Sequence, residues 1–188
     1  MSDSDEQLLD RVRRGDEAAF ERLFLRHYGQ VYRLLYSLMA DHQQAEDLAQ
    51  ETFLALLHRP PAPEASAGLL AWLCRVALNC GYNMLRSARR ERARIERLAE
   101  PPSQLDPHAE LLRAEDRARV QAALARLPER HGKLLLLRHS GLSYAEVAMA
   151  LDVAPGSVGT LLARAERAFL AAYQEIETAE RLEIRDQR

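Results

Sequence analysis

SYAEVAMALDVAPGSVGTLLARAERAF, residues 143–169, is the stretch that decides the fold. Ser143 and Glu146 stand at the spacing of a capping box, which starts a helix by satisfying its first free N–H groups. Val147, Ala148 and Leu151 fall on one side of that helix, and Val158, Leu161 and Leu162 on one side of the next. Asp152, Val153 and Ala154 lie between them as a turn. Pro155 suits the first position of the second helix, where its missing N–H costs no bond. Two short helices across a tight turn have helix-turn-helix spacing. A helical hairpin that touches no DNA fits the same pattern. The outer face of the second helix offers Ser157, Thr160, Arg164 and Arg167, interleaved with Gly159, Ala163 and Glu166. For a DNA reader that charge is thin.

Working outward, the same periodicity predicts helices over about 108–126 and 128–139 before this stretch, and the last helix over 155–173. Residues 174–188 continue the pattern but are polar, and their end is expected to fray. EPPSQLDP (100–107) carries three prolines in eight residues and reads as a linker. Upstream, apolar positions recur at helical spacing from residue 5 to residue 58. Asp16 is placed to cap a long helix containing Phe20, Leu23, Phe24, Val31, Leu34, Leu35 and Leu38. A second helix begins at about His42, with Ala45, Leu48, Ala49, Phe53, Leu56 and Leu57 on its buried side. RPPAPEASAG (59–68) breaks the pattern, because proline removes a backbone donor and disfavours helix before it. A further helix runs from about Leu69 to Ala99. The expected fold is all-α: two small helical domains, 1–99 and 108–173, joined by a Pro-rich linker, the second a helix-turn-helix.

Charge is unevenly placed. The net formal charge is −2, yet residues 1–58 hold eleven acids against six arginines, and residues 72–98 hold seven arginines against two acids. An acidic part and a basic part on one chain suggest two different partners. Within the basic helix Arg75, Asn79, Asn83, Arg86, Arg90, Arg94 and Arg97 are spaced by three or four residues throughout, matching ~3.6 residues per turn. They form one stripe. A solvated charged face would show the same spacing, but it ordinarily interleaves acids at i and i+4, and this stripe has none. Amides pair with base edges and guanidinium groups with phosphates, so a nucleic-acid contact fits both halves of the stripe.

Catalysis finds little support. No nucleophile–base pair, phosphate-cradling glycine loop or metal cluster stands out. Cys74 and Cys80 sit about 240° apart around a helix, too far round to share a metal or a disulfide easily. They read as two separate core thiols. The six histidines show no zinc-type pairing with them. No cofactor or metal is expected. No run approaches the ~18 apolar residues of a membrane span, and the N-terminus lacks signal-peptide shape, so a cytoplasmic location is expected.

Three motifs in order resemble one family. AEDLAQETF (45–53), AWLCRVALNCGYNMLRS (71–87) and LPERHGKLLLLRHSGLSYAEVAMAL (127–151) are similar to segments of the bacterial sigma factors of RNA polymerase, in particular the small extracytoplasmic-function (ECF) group. The likeness covers about residues 6–172. It implies core RNA polymerase, promoter DNA and an anti-sigma factor as partners. The first motif implies docking on the clamp helices of the polymerase β′ subunit through Asp47, Gln50 and Glu51, although an ordinary acidic helix face looks the same. The second implies melting and reading of the minus-ten element by Arg75, Asn79 and Asn83, with Trp72 ahead of them and Arg86 and Arg90 on the backbone. Trp72 fits plain core equally well. The loop at Ala65, Ser66 and Ala67 falls where the family captures a flipped base. The third implies contact with the β flap and minus-thirty-five reading through Ser143, Tyr144, Ser157, Thr160, Arg164 and Arg167. Here the chain departs from the pattern, because basic residues common in the family at the positions of Gly159, Leu161 and Glu166 are absent. Asn83 stands where the family often has Asp. Two other readings share these features: a helix-turn-helix regulator of duplex DNA, and a sigma-like interaction module with a weakened DNA-reading domain.

Overall fold

Ser4 begins the first helix. Its hydroxyl accepts from the Gln7 backbone N–H while the Gln7 side chain returns a bond to the Ser4 N–H, a complete capping box. The computed structural model describes residues 3–62, 68–95 and 111–186. Within them lie α1 (Asp5–Arg13), α2 (Glu17–Met39), α3 (His42–His58), α4 (Leu69–Ile95), α5 (Leu111–Arg126), α6 (Glu129–His139), α7 (Tyr144–Leu151) and α8 (Val158–Asp186). A 3-10 turn, Pro155–Ser157, leads into α8. The linker 100–107 and the loop residues Ala65, Ser66 and Ala67 lie outside the described residues. No single described helix is long and apolar enough to cross a membrane.

Helices α1 to α4 enclose one core around α2. Asp16 caps α2 by accepting from the Ala19 N–H at 3.0 Å, as its position predicts. Asp41 does the same for α3 through Gln44. Between them Ala40 takes the left-handed conformation (φ 53°), which reverses the chain in a single residue. Phe20, Phe24, Tyr28, Tyr32 and Tyr36 follow one another at i+4 along α2 and form a ladder of neighbouring rings. Phe53 of α3 meets that ladder edge-on, 4.9 Å from Phe24 between ring centres. Gly81 brings α4 close to α2, since a Cβ there would lie 2.6 Å from the Leu38 Cδ2.

α1 is fastened to α2 by charge as well as by Leu8, Leu9 and Val12. The Asp5 carboxylate pairs with Arg26 and lies 2.8 Å from the His27 Nε2. These contacts, the His27 hydrogen bond foremost, hold the Asp5 pKa below its ordinary 3.8. A depressed carboxylate contributes stability above its unfolded pKa and loses it as pH falls through the folded value. Asp5→Asn is therefore expected to cost about 1 kcal/mol at neutral pH, a modest figure for a partly exposed pair. The cost should vanish as both proteins are acidified below 3.8. Urea titrations of the two proteins across that range check this; a pH-independent difference would rule it out.

The second domain is built as its sequence predicts up to its last helix. Ser143 and Glu146 form the capping box of α7, and Asp152 turns the chain with φ 53°. Val147, Ala148, Leu151, Val158, Leu161 and Leu162 share one cluster. α8, however, does not stop at 173 but runs to Asp186. Its continuation packs on α5 through Ala172 and Ile176 against Ala123, with Phe169 and Tyr173 beside them. Arg119–Glu180 (2.6 Å) and Arg126–Glu175 (3.4 Å) flank that contact. The tail reads as polar because only one narrow side of it is apolar, and the partner of that side is a helix far away in sequence.

The two domains touch. α6 and α7 lie on α2 and α4, and one hydrophobic cluster includes buried residues of both domains. Gln30 donates to the Ser140 carbonyl (2.8 Å) and Gln121 to the Ser37 carbonyl (2.7 Å), each crossing the boundary.

Candidate nucleic-acid interface

α4 has two unlike sides. Leu69, Ala71, Leu73, Cys74, Ala77 and Leu78 are buried, while Arg75, Asn79, Asn83, Arg86 and Arg90 are exposed along the other. The helix thus carries the polar stripe on its exposed side and is held by the apolar one. Trp72 is half-buried and packs against the core. Met84 lies on the exposed side too. Ser66 and Arg97 lie outside the described residues.

The side chains of the stripe are oriented by one another and by the second domain. Asn83 Oδ1 accepts from the Arg86 guanidinium, and Arg86 also pairs with Glu129 of α6. Asn79 Oδ1 accepts from Lys133 Nζ at 2.7 Å. In each amide the carbonyl oxygen is taken by a cation, which leaves the NH2 group as the free donor. Arg90 folds back on the Arg86 carbonyl, and Arg89 donates to the Ala125 carbonyl. Tyr82, between these positions, is pressed against α6. Burial, with Glu129 nearby, pushes its phenol up to about 12.

Nothing in this face does covalent chemistry. Burial pushes the Cys74 thiol to about 12 and raises that of Cys80, so neither supplies much thiolate at neutral pH. Among the described residues no group of three or more His, Cys, Asp or Glu could hold a metal ion.

Asp47, Gln50 and Glu51 are all exposed on the outer edge of α3. Gln43 donates to the Asp47 carboxylate at 3.0 Å. Leu54 and Leu57 extend the same edge, with 53% and 44% of their surface exposed. Leu57, expected on the buried side of this helix, lies on its outer side with Leu54. Yet 47, 50, 51, 54 and 57 recur at helical spacing, so the acidic strip and its apolar extension form one edge. Acid beside exposed leucine suits a protein partner better than solvent alone.

In the second domain Thr160, Arg164 and Arg167 are exposed on α8, and Arg167 bonds back to the Ala163 carbonyl. Ser157 bonds to the Ala154 carbonyl, while Ser143 is occupied by its cap. The exposed Tyr144 ring lies beneath the Arg138 guanidinium, 5.7 Å away. The candidate residues therefore form two groups on separate domains, and α6, which bonds to the first group, belongs to the second domain.

Two family models match the chain in order: Sigma-70 region 2 over residues 23–91 and Sigma-70 region 4 over residues 117–169. The chain is 30% identical over 185 residues to the RNA polymerase sigma-H factor of Pseudomonas aeruginosa, covering 93% of this chain and 96% of that one. It is 35% identical over 178 residues to the ECF RNA polymerase sigma factor SigE of Mycolicibacterium smegmatis, covering 88% and 68%. Its fold is similar to that of the sigma factor RpoE bound to the anti-sigma factor NepR from Bartonella quintana, with a TM-score of 0.55 and 21% identity over 82% of this chain and 96% of that one. The α4 stripe from Arg75 to Arg90 falls within the matched region 2, and the helix-turn-helix within region 4. The chain belongs to the ECF group of sigma-70 factors, non-catalytic subunits that direct RNA polymerase to promoters.

Proposed function

We propose that this sigma factor opens its promoters by taking the minus-ten bases onto the α4 stripe. Arg75, Asn79 and Asn83 address unstacked bases, Trp72 borders them, and Arg86 and Arg90 hold the backbone. The single observation that carries this reading is the exposure of all five polar residues on one face of a helix whose other face is core. Unstacking a base costs a few kcal/mol, which contacts made only by opened bases offset. The resemblance gives Ser66, which lies outside the described residues, a part in holding a flipped base.

The edge of α3 with Asp47, Gln50 and Glu51 docks on the β′ clamp helices, and the second domain meets the β flap and the minus-thirty-five element. Ser143, Tyr144, Ser157, Thr160, Arg164 and Arg167 carry that second contact. With so few cations it is weak, since each phosphate contact contributes only about 0.9 to the salt slope. An anti-sigma factor restrains the chain, as the complex of a structural relative suggests by analogy. Run-off transcription from a library of random upstream sequences, with core polymerase and with or without this chain, tests the reading. Selective transcripts with shared minus-ten bases support it. Polymerase binding without selective transcription would overturn it in favour of an interaction module.

A further inference from the structure

Apart from the α4 stripe and the α3 edge, helices α2, α5, α6 and α8 wall a cleft. Tyr36 comes from α2, Val120 and Leu124 from α5, Leu135 from α6 and Phe169 from α8. The cleft holds about 850 Å³, near the upper end of the roughly 300–1,000 Å³ usual for small-molecule sites. Its lining is mostly apolar, and two of the helices contribute an aromatic ring.

Glu166 lines it as well. In the sequence this residue is out of place, because an acid on a recognition helix repels phosphate. The helix resolves the conflict. At about 100° per residue, Glu166 lies about 100–160° round α8 from Thr160, Arg164 and Arg167, and it shares the cleft with Phe169 instead. Its charge is also unanswered. Further along α8, Glu175, Glu177 and Glu180 each pair with an arginine. Glu166 has no hydrogen-bond or ion-pair partner among the described residues.

Two arginines line the same cleft, and neither reaches that carboxylate. The Arg138 guanidinium is committed elsewhere, donating to the Leu142 carbonyl and lying over the Tyr144 ring. Arg117 makes one bond only, a long one of 3.5 Å to the Tyr36 hydroxyl. A guanidinium has several N–H donors, so most of its capacity is unspent. Asp116, the other acid of the lining, is answered by Arg119 at 3.1 Å. The cleft therefore offers a free carboxylate and a largely free guanidinium amid apolar side chains.

That combination selects a chemistry. A purely apolar ligand leaves both charges unanswered, and a simple cation or anion answers one and is repelled by the other. An apolar body carrying both an ammonium and a carboxylate answers both, and a peptide has them at the two ends of one chain. We infer that this cleft binds a short peptide of apolar residues with free ends, its ammonium on Glu166 and its carboxylate on Arg117. A single amino acid would leave most of the volume empty, and the terminus of a partner protein supplies only one of the two charges. The assignment is independent of the role of the α4 stripe.

The test titrates the tripeptide Leu-Phe-Leu into the full chain by calorimetry, beside the same peptide acetylated at its amino end, amidated at its carboxyl end, or both. One-to-one binding of the free peptide is expected, weakened about tenfold by Glu166→Gln and by Arg117→Gln, since a hydrogen bond to a charged group is worth about that factor. The blocked peptides locate each end. Acetylated peptide should bind the natural chain and Glu166→Gln alike while still losing the same factor in Arg117→Gln, and amidated peptide should show the reverse. Both positions are exposed and glutamine is a good helix former, so circular dichroism should not change. Val120→Trp, which fills the cleft from an exposed position, should abolish binding. No binding of the free peptide at millimolar concentration overturns the inference. So does binding that ignores all three substitutions, because the peptide then sits elsewhere. Doubly blocked peptide that binds as tightly as the free one also overturns it, by showing an apolar cleft with no use for its charges. Dependence on the carboxyl end alone overturns it in favour of a partner protein's terminus on Arg117.

Discussion

Run-off transcription directed by the Asn79→Ala/Asn83→Ala chain is expected to fall about 100-fold, with polymerase binding unchanged. The size follows from the chemistry of the contact. A well-made amide-to-base contact discriminates by about 1–3 kcal/mol, and two near the lower end multiply to that factor. Folding does not account for such a loss, because both residues are exposed and alanine is the better helix former. Loss of the contact to Lys133 does not account for it either. Removing Asn79 Oδ1 takes away one bond to the second domain and leaves the α3 edge proposed to dock on polymerase untouched. The direction of the result is therefore informative. A drop in opening at constant polymerase occupancy, read by permanganate reactivity of unpaired thymines, locates the defect at the bases. Unchanged opening would remove the stripe from promoter reading altogether.

Most of the helical plan was legible because short-range rules govern it. Asp16 and Ser143 cap the helices they precede, and a cap acts over three residues. The stripe from Arg75 to Arg90 was legible for the same reason, since a helix converts spacing directly into a face. The misreadings have two sources, angular position on a helix and partners distant in sequence. Leu57 has the hydrophobicity of a core residue and the wrong angular position, and Leu54 is exposed on the same edge. The packing of the tail beyond 173 is hidden in the sequence because Ile176 gains its value only from Ala123, on a helix far away in the chain. The contacts of Glu129, Gly132 and Lys133 were the least accessible. Nothing local marks a glycine as a point of domain contact; only the nearness of Tyr82 does.

Phe53→Ala is expected to cost the first domain about 3–5 kcal/mol, the usual range for emptying a buried aromatic site. Phe53 is 1% exposed and its ring meets both Phe24 and Tyr28. The ladder on α2 is held at i+4 spacing and cannot collapse into the space without breaking its own stacking, so the cavity term stays large. Against a total stability of about 5–15 kcal/mol this is a large share, and polymerase binding should weaken with it at growth temperature. Trp72 is the sole tryptophan and belongs to the first domain, so its fluorescence in urea isolates the effect there. Leu54→Ala, one residue on, provides the contrast. Leu54 is 53% exposed, so its loss should leave the urea midpoint nearly unmoved, within about 0.5 kcal/mol. It should still weaken polymerase binding if the α3 edge docks as proposed, because that side chain extends the edge. Equal destabilisation by the two substitutions would mean that α3 does not separate a core face from a docking face, and the edge bearing Asp47, Gln50 and Glu51 would lose its basis as a polymerase contact.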